Sequence, residues 1–197
     1  MAKAMPAVRK TPLYSDPLMS HTENARLIRQ GKLSPDESKV FTPEAGDAPP
    51  SMPNDEPGWV VPLSIWHAHA DALQTRTHPV AILIAPDDDP WTLRGEGSDA
   101  VQDLAVAFIA IDFPAFTDGR GYSHAQVLRQ HLNYHGELRA VGDVLIDTVY
   151  YMARCGFDSF ALKPGHDPQA ALAALGTFSQ RYQHGYSEVA KPVAAPG

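Results

Sequence analysis

Carboxylates, an arginine and two glycines crowd the segment IDFPAFTDGRGYS, residues 111–123. Within it, Gly119 and Gly121 flank Arg120, so the chain there can take backbone angles closed to other residues and approach a ligand closely. Ser123 followed by Gln126 has the spacing of a capping box, which predicts a helix over 123–132 with unpaired N–H groups at its start. Arg120, Gly121, Tyr122 and Ser123 together could therefore hold a small anion. The same residues also fit a tight loop in which Arg120 pairs with Asp118 or Asp112 and Ser123 only caps. Arg139, alone among small and apolar residues in ELRAVG (137–142), is either a second anion ligand or the buried half of an ion pair with Asp112 or Glu137. Asp112, Asp118 and Asp143 are the candidate general bases, because each falls where an apolar run gives way to a loop or helix start.

Other chemistry is poorly supported. Among the nine histidines, His67 and His69 diverge on a helix, and His131 and His135 lack the glutamate of the H-E-x-x-H motif, so no metal site is expected. The single cysteine, Cys155, falls at an expected helix C-terminus, where the dipole opposes a thiolate, and reads as a packing residue. His124 stands where a third glycine would complete G-x-G-x-x-G. The Walker loop, the G-x-S-x-G elbow and C-x-x-C are absent, and no cofactor is expected.

The elements that must position these residues follow from periodicity. Continuous apolar runs at 79–85 and 106–113 read as strands buried on both faces. Further strands are expected at 59–65, 137–142 and 158–163, the first placed at a sheet edge by Pro62. Helices are expected at 66–75, 98–105, 123–132, 143–155 and 167–182. For 143–155, Asp143 suits the N-cap and Gly156 the terminator, with Phe157 touching Met152 as in a Schellman motif. About five strand–helix units in succession predict an α/β protein with a mainly parallel sheet, doubly wound or a partial barrel. A β-hairpin over 25–41, turning at Ser34-Pro35-Asp36, precedes it. The expected organisation is a flexible tail at 1–23, hairpin and Pro-rich linker at 24–57, the α/β domain at 58–184 and a tail at 185–197. Ten of the eighteen prolines fall within the first 62 residues, which keeps regular elements out of the linker.

Composition narrows the function classes. Hydrophobic residues make up 44% and charged residues 20%, enough for a core. The net charge of −7 divides into −1 for residues 1–62 and −6 for the rest, so the globular part repels nucleic-acid backbones. No apolar run reaches the roughly 18–20 residues that span a bilayer. MAKAMPAVRK lacks the apolar core of a secretory signal, and one cysteine fits a reducing compartment. A soluble cytoplasmic protein is expected, with its oligomeric state left open.

The runs FIAIDFPAFTDGRGYSHAQVLR (108–129) and GELRAVGDVLIDTVYYMARCGFDSF (136–160) resemble the bacterial domain-of-unknown-function family 934. The likeness extends more loosely through LIRQGKL, VVPLSIW and APDDDP. Where family members often carry Gln, this chain has Thr148 in the triplet IDT. The resemblance implies a part in assimilatory sulfite reduction, with sulfite reductase as partner and an oxidoreductase label. One cysteine cannot supply the four thiolates of an iron–sulfur cluster. The chain is therefore expected to assist the enzyme that holds the electrons, as a binding or assembly partner. The alternative is a small enzyme or sensor binding a sulfur oxyanion or phosphorylated sulfur metabolite at the strand ends.

Overall fold

The computed structural model describes residues 11–12, 26–43, 51–95, 100–101 and 104–176. Most of both expected tails, and the part of the last helix beyond 176, lie outside the described residues. Nine strands form one sheet in the order β1-β4-β5-β6-β7-β8-β9-β2-β3. They are β1 (Thr11–Pro12), β2 (Leu27–Arg29), β3 (Lys32–Ser34), β4 (Lys39–Val40), β5 (Trp59–Pro62), β6 (Ala81–Ile84), β7 (Ile109–Phe113), β8 (Leu138–Gly142) and β9 (Ser159–Ala161). From β4 to β9 every pairing is parallel; β1, β2 and β3 pair antiparallel at the margins.

The strand order from β4 to β9 never reverses, and helices α1 (Leu63–Gln74), α2 (Arg120–Gln126), α3 (Ile146–Arg154) and α4 (Pro168–Leu175) all pack into one core layer. Successive crossovers of the same hand and direction put each helix on the same face, so the sheet is a partial barrel rather than doubly wound. Bulky residues such as Ile82, Ile109, Ile111, Phe113 and Leu138 face the helices, whereas Ala81, Ala110, Val141 and Ala161 line the other face. Leu27, Val60 and Phe108 complete that inner cluster. Each fully buried Ile or Leu on the helix side contributes about 1.5–3 kcal/mol by leaving water.

The chain itself requires the curl. β3 and β4 are joined by residues 35–38 alone, a reach of at most about 18 Å, yet in a flat sheet the six strands between them would hold them about 34 Å apart. Residues 35–38 therefore cross one end of the barrel, and Asp36 meets Arg139 there at 3.4 Å.

Several local features differ from the sequence expectation. The hairpin turns at Gln30 and Gly31, with φ of 52° and 69°, because a two-residue turn of this hand matches the strand twist; Ser34 ends β3 instead. Pro62 closes β5, which is flanked by β4 and β6; as its last residue, beyond the β4 pairs, it needs no edge. Ala100, Val101, Leu104 and Ala105 are not helical, and Val101 N–H instead donates to Leu132 O at 2.7 Å. α2 begins at Arg120, not Ser123, because the Asp118 carboxylate accepts from Arg120 N–H at 3.1 Å and serves its first turn. It runs on into a π-helical turn at Val127–His131. α3 starts after Leu145, capped by the Thr148 hydroxyl, which accepts from Leu145 N–H at 3.1 Å; Asp143 is engaged elsewhere. Its end follows expectation: Phe157 N–H donates to Met152 O and Gly156 N–H to Ala153 O, both at 3.2 Å, as in a Schellman motif.

Candidate functional site

The loops after β6, β7, β8 and β9 gather at one end of the barrel, and polar contacts stitch them together. After β7, the turn 115–118 closes through Asp118 N–H donating to Ala115 O at 2.9 Å, which brings Asp118 beneath the start of α2. Arg120 bonds the Asp118 carboxylate at 3.0 Å from Nε and 2.6 Å from Nη2, and its Nη1 reaches Asp87 in the β6 loop. That partnership holds the Asp118 carboxyl down at about 2 and raises the Arg120 guanidinium. Past β8, the Asp143 carboxylate accepts from Lys163 Nζ at 2.5 Å and from Phe116 N–H at 2.9 Å, which lowers its pKa. One seam thus runs from Asp87 through Arg120, Asp118 and Phe116 to Asp143 and Lys163.

Asp112 lies just inside the seam. Its register opposite Val141 puts it on the barrel's inner face, half-buried, with its carboxylate over Gly142: a Cβ there would stand 2.6 Å from Oδ1. Gly142 also has φ of +93°, so only glycine fits this crossing without strain. Burial, then the neighbouring Asp118 charge, push the Asp112 pKa up. A carboxyl held toward its neutral form can donate or accept a proton near the barrel mouth.

The structure brings Arg120, Gly121, Tyr122 and Ser123 together in the first turn of α2, beside Asp118 and near Asp112. Gly121 backs onto Phe113, and Tyr122 stacks edge-on against Phe113 at 5.2 Å, so these two pack inward. Ser123 is exposed within the helix. Arg139 does not join them. It lies one row deeper, opposite Ala110 and Ser159, and its guanidinium turns toward the other end of the barrel. There it bonds Glu137 at 2.7 Å, with Phe108 3.6 Å away under the cation, and forms a buried ion pair with a partner the sequence named.

In the sequence His124 was read only as the residue that breaks the G-x-G-x-x-G pattern. Its Nδ1 is buried with no hydrogen-bond partner among the described residues, and burial lowers its pKa. Unread was Arg129, whose burial inside the π-helical turn gives no sequence signal beyond a cation on an apolar helix face. Among the described residues, no group of three metal-ligating side chains converges. Cys155 is buried and its pKa is raised by that burial. A cleft of about 910 Å³ lined by α1 and by Thr92, Leu93, Arg94, Gly95, Val101 and Leu104 contains none of the sequence-predicted site residues.

Fold and site define a one-layer-helix partial barrel whose strand C-terminal ends carry an ion-paired, acidic edge. Residues 81–193 match the family described as "Bacterial protein of unknown function (DUF934)", and the chain belongs to that family. No curated protein and no solved structure matches it. Among the described residues, no helix is long and apolar enough to cross a membrane.

Proposed function

We propose that this protein is a cytoplasmic accessory factor of assimilatory sulfite reduction, acting with sulfite reductase as a binding or assembly partner. The pathway comes from the family resemblance and its oxidoreductase label; the mode of action rests on the strand-end edge. The observation that carries it is the placement of Arg120. Its guanidinium is held between Asp118 and Asp87, so the edge offers an anion little uncompensated positive charge. Exposed Phe116 on the same loop suits contact with a macromolecule better than capture of a small oxyanion. Affinity purification of the tagged full chain, from cells grown on sulfate as sole sulfur source, tests the reading. Sulfite reductase subunits in stoichiometric amount are the expected result, and recovery of this chain alone overturns it.

Asp112 favours a second reading: a small enzyme or sensor for a sulfur oxyanion or phosphorylated sulfur metabolite, with Asp112 exchanging the proton. In that case Arg120→Ala lowers sulfite affinity with the fold intact. An unchanged affinity rules this second reading out.

A further inference from the structure

We infer that the aromatic pair Phe116 and Tyr151 is the docking surface for the partner in the accessory reading, on which this inference rests. The partner it fits is a protein surface presenting an apolar socket rimmed by lysine and arginine. Phe116 and Tyr151, each 54% exposed, are the most exposed large hydrophobic side chains among the described residues, ahead of Met52 at 46% and Trp91 at 43%. Neither is loosely held. Phe116 has its N–H fixed on Asp143 at 2.9 Å and stands at the turn closed by Asp118 and Ala115. Tyr151 stacks on Tyr122 at 5.1 Å, and Tyr122 stacks on the core residue Phe113. The Tyr151 ring is held by Tyr122 and the Phe116 backbone by Asp143, so both lose less freedom on binding than groups on a free chain, which is the property of an anchor. Asp143 ties the Phe116 loop to the approach to α3, the helix that carries Tyr151, and the Tyr122–Tyr151 contact ties α2 to α3.

Charge selects the occupant. Asp87, Asp89, Asp118, Asp143 and Asp147 lie on these loops and helix starts, and the cations among them, Arg120 and Lys163, are already paired with carboxylates. A second copy of this chain would set acidic edge against acidic edge, and an anionic lipid surface or nucleic acid would be repelled. A basic protein surface gains from the same field, and its binding weakens as salt rises.

Two arms separate this inference from the reading beneath it. In the first, the full chain is titrated with a short synthetic peptide of alternating lysine and leucine, followed by calorimetry. Wild type is expected to bind, and Phe116→Ser, with Tyr151→Ser, to weaken binding by about tenfold. Met52→Ser, which removes an exposed apolar residue elsewhere, is expected to leave affinity unchanged. No binding by wild type, no loss in Phe116→Ser, or an equal loss in Met52→Ser overturns the docking surface. The second arm presents purified sulfite reductase to the same proteins, with thermal melts verifying that each variant is folded. Loss of binding in Phe116→Ser and Tyr151→Ser, but not in Met52→Ser, supports both proposals. Equal binding by all variants overturns the surface and leaves the accessory reading standing. No binding by wild type overturns the accessory reading, and the peptide arm then decides the surface by itself.

Discussion

Arg129 donates from Nε to the carbonyl oxygen of Gly156 at 2.9 Å, joining the π-helical turn after α2 to the glycine that ends α3. The same guanidinium reaches the Tyr134 carbonyl at 2.6 Å, the Gly136 carbonyl at 2.9 Å and the Asp158 carboxylate at 2.5 Å. Residues 134 and 136 lead into β8, and 156 and 158 lead into β9. One buried cation therefore fixes where two neighbouring strands enter the sheet. The extra residue of the π-helical turn, seen in Leu132 N–H donating to Val127 O, accompanies this inward placement of Arg129.

Arg129→Met keeps the apolar stem and removes the donors, leaving carbonyls buried without partners. The expected loss is about 3 kcal/mol, or about 6–12 °C in Tm, measured by urea and thermal unfolding. Arg129→Lys recovers little of it, since one ammonium cannot span the fork of acceptors. A loss below about 1 kcal/mol would mean that water replaces the guanidinium at those carbonyls.

Much of the architecture was legible because apolar runs and helix ends are local signals. β6, β7 and β8 fall inside the runs read at 79–85, 106–113 and 137–142, and the Schellman end of α3 was readable from Gly156 and Phe157 alone. Partners distant in sequence were not. Asp143 looked free to cap α3, but Lys163 and Phe116 claim its carboxylate across the loops, and Thr148 caps instead. Nothing local marks Asp87 as a partner of Arg120, which lies 33 positions away. Arg139 illustrates the intermediate case: the cost of burying a guanidinium demanded a carboxylate, and Glu137 two residues back supplied it. Whether the sheet wound doubly or curled depended on strand order, which periodicity does not encode.

His124 predicts a pH dependence near neutrality. Burial disfavours its imidazolium, so its folded pKa lies below the ordinary 6.5; Asp88, Asp89 and Asp118 pull it up, and Arg120 pushes it further down. The unfolded chain then takes up the proton more readily. Stability from this group is complete above pH 6.5 and is lost as pH falls through the folded pKa. Melting curves of wild type and His124→Gln between about pH 7.5 and 5 are expected to diverge, the variant losing less Tm on acidification. Parallel curves would show that the imidazole is solvated in the folded protein.

Asp112 predicts the opposite sign. Burial and the Asp118 charge raise its folded pKa above 3.8, so the folded protein holds this proton more tightly than the unfolded chain does. Its contribution favours folding at low pH and is lost as pH rises through the folded pKa, leaving an unwelcome charge at pH 7. Asp112→Asn keeps the shape over Gly142 and removes that charge, so its Tm at pH 7 is expected to exceed wild type by a few degrees at most. The advantage must shrink as pH is lowered through the folded pKa. Asp118, held at about 2 by Arg120, behaves inversely: its contribution is present above 3.8 and fades toward pH 2. Both carboxylates titrate on the same acid limb, so wild type alone shows only their sum. The difference between wild type and Asp112→Asn, followed pH by pH, reads Asp112 together with its coupling to Asp118. A stabilising substitution at a half-buried carboxylate marks a residue kept for something other than the fold. If Asp112→Asn instead lowers Tm at pH 7, the carboxylate is a structural acceptor, and its candidacy for proton transfer lapses.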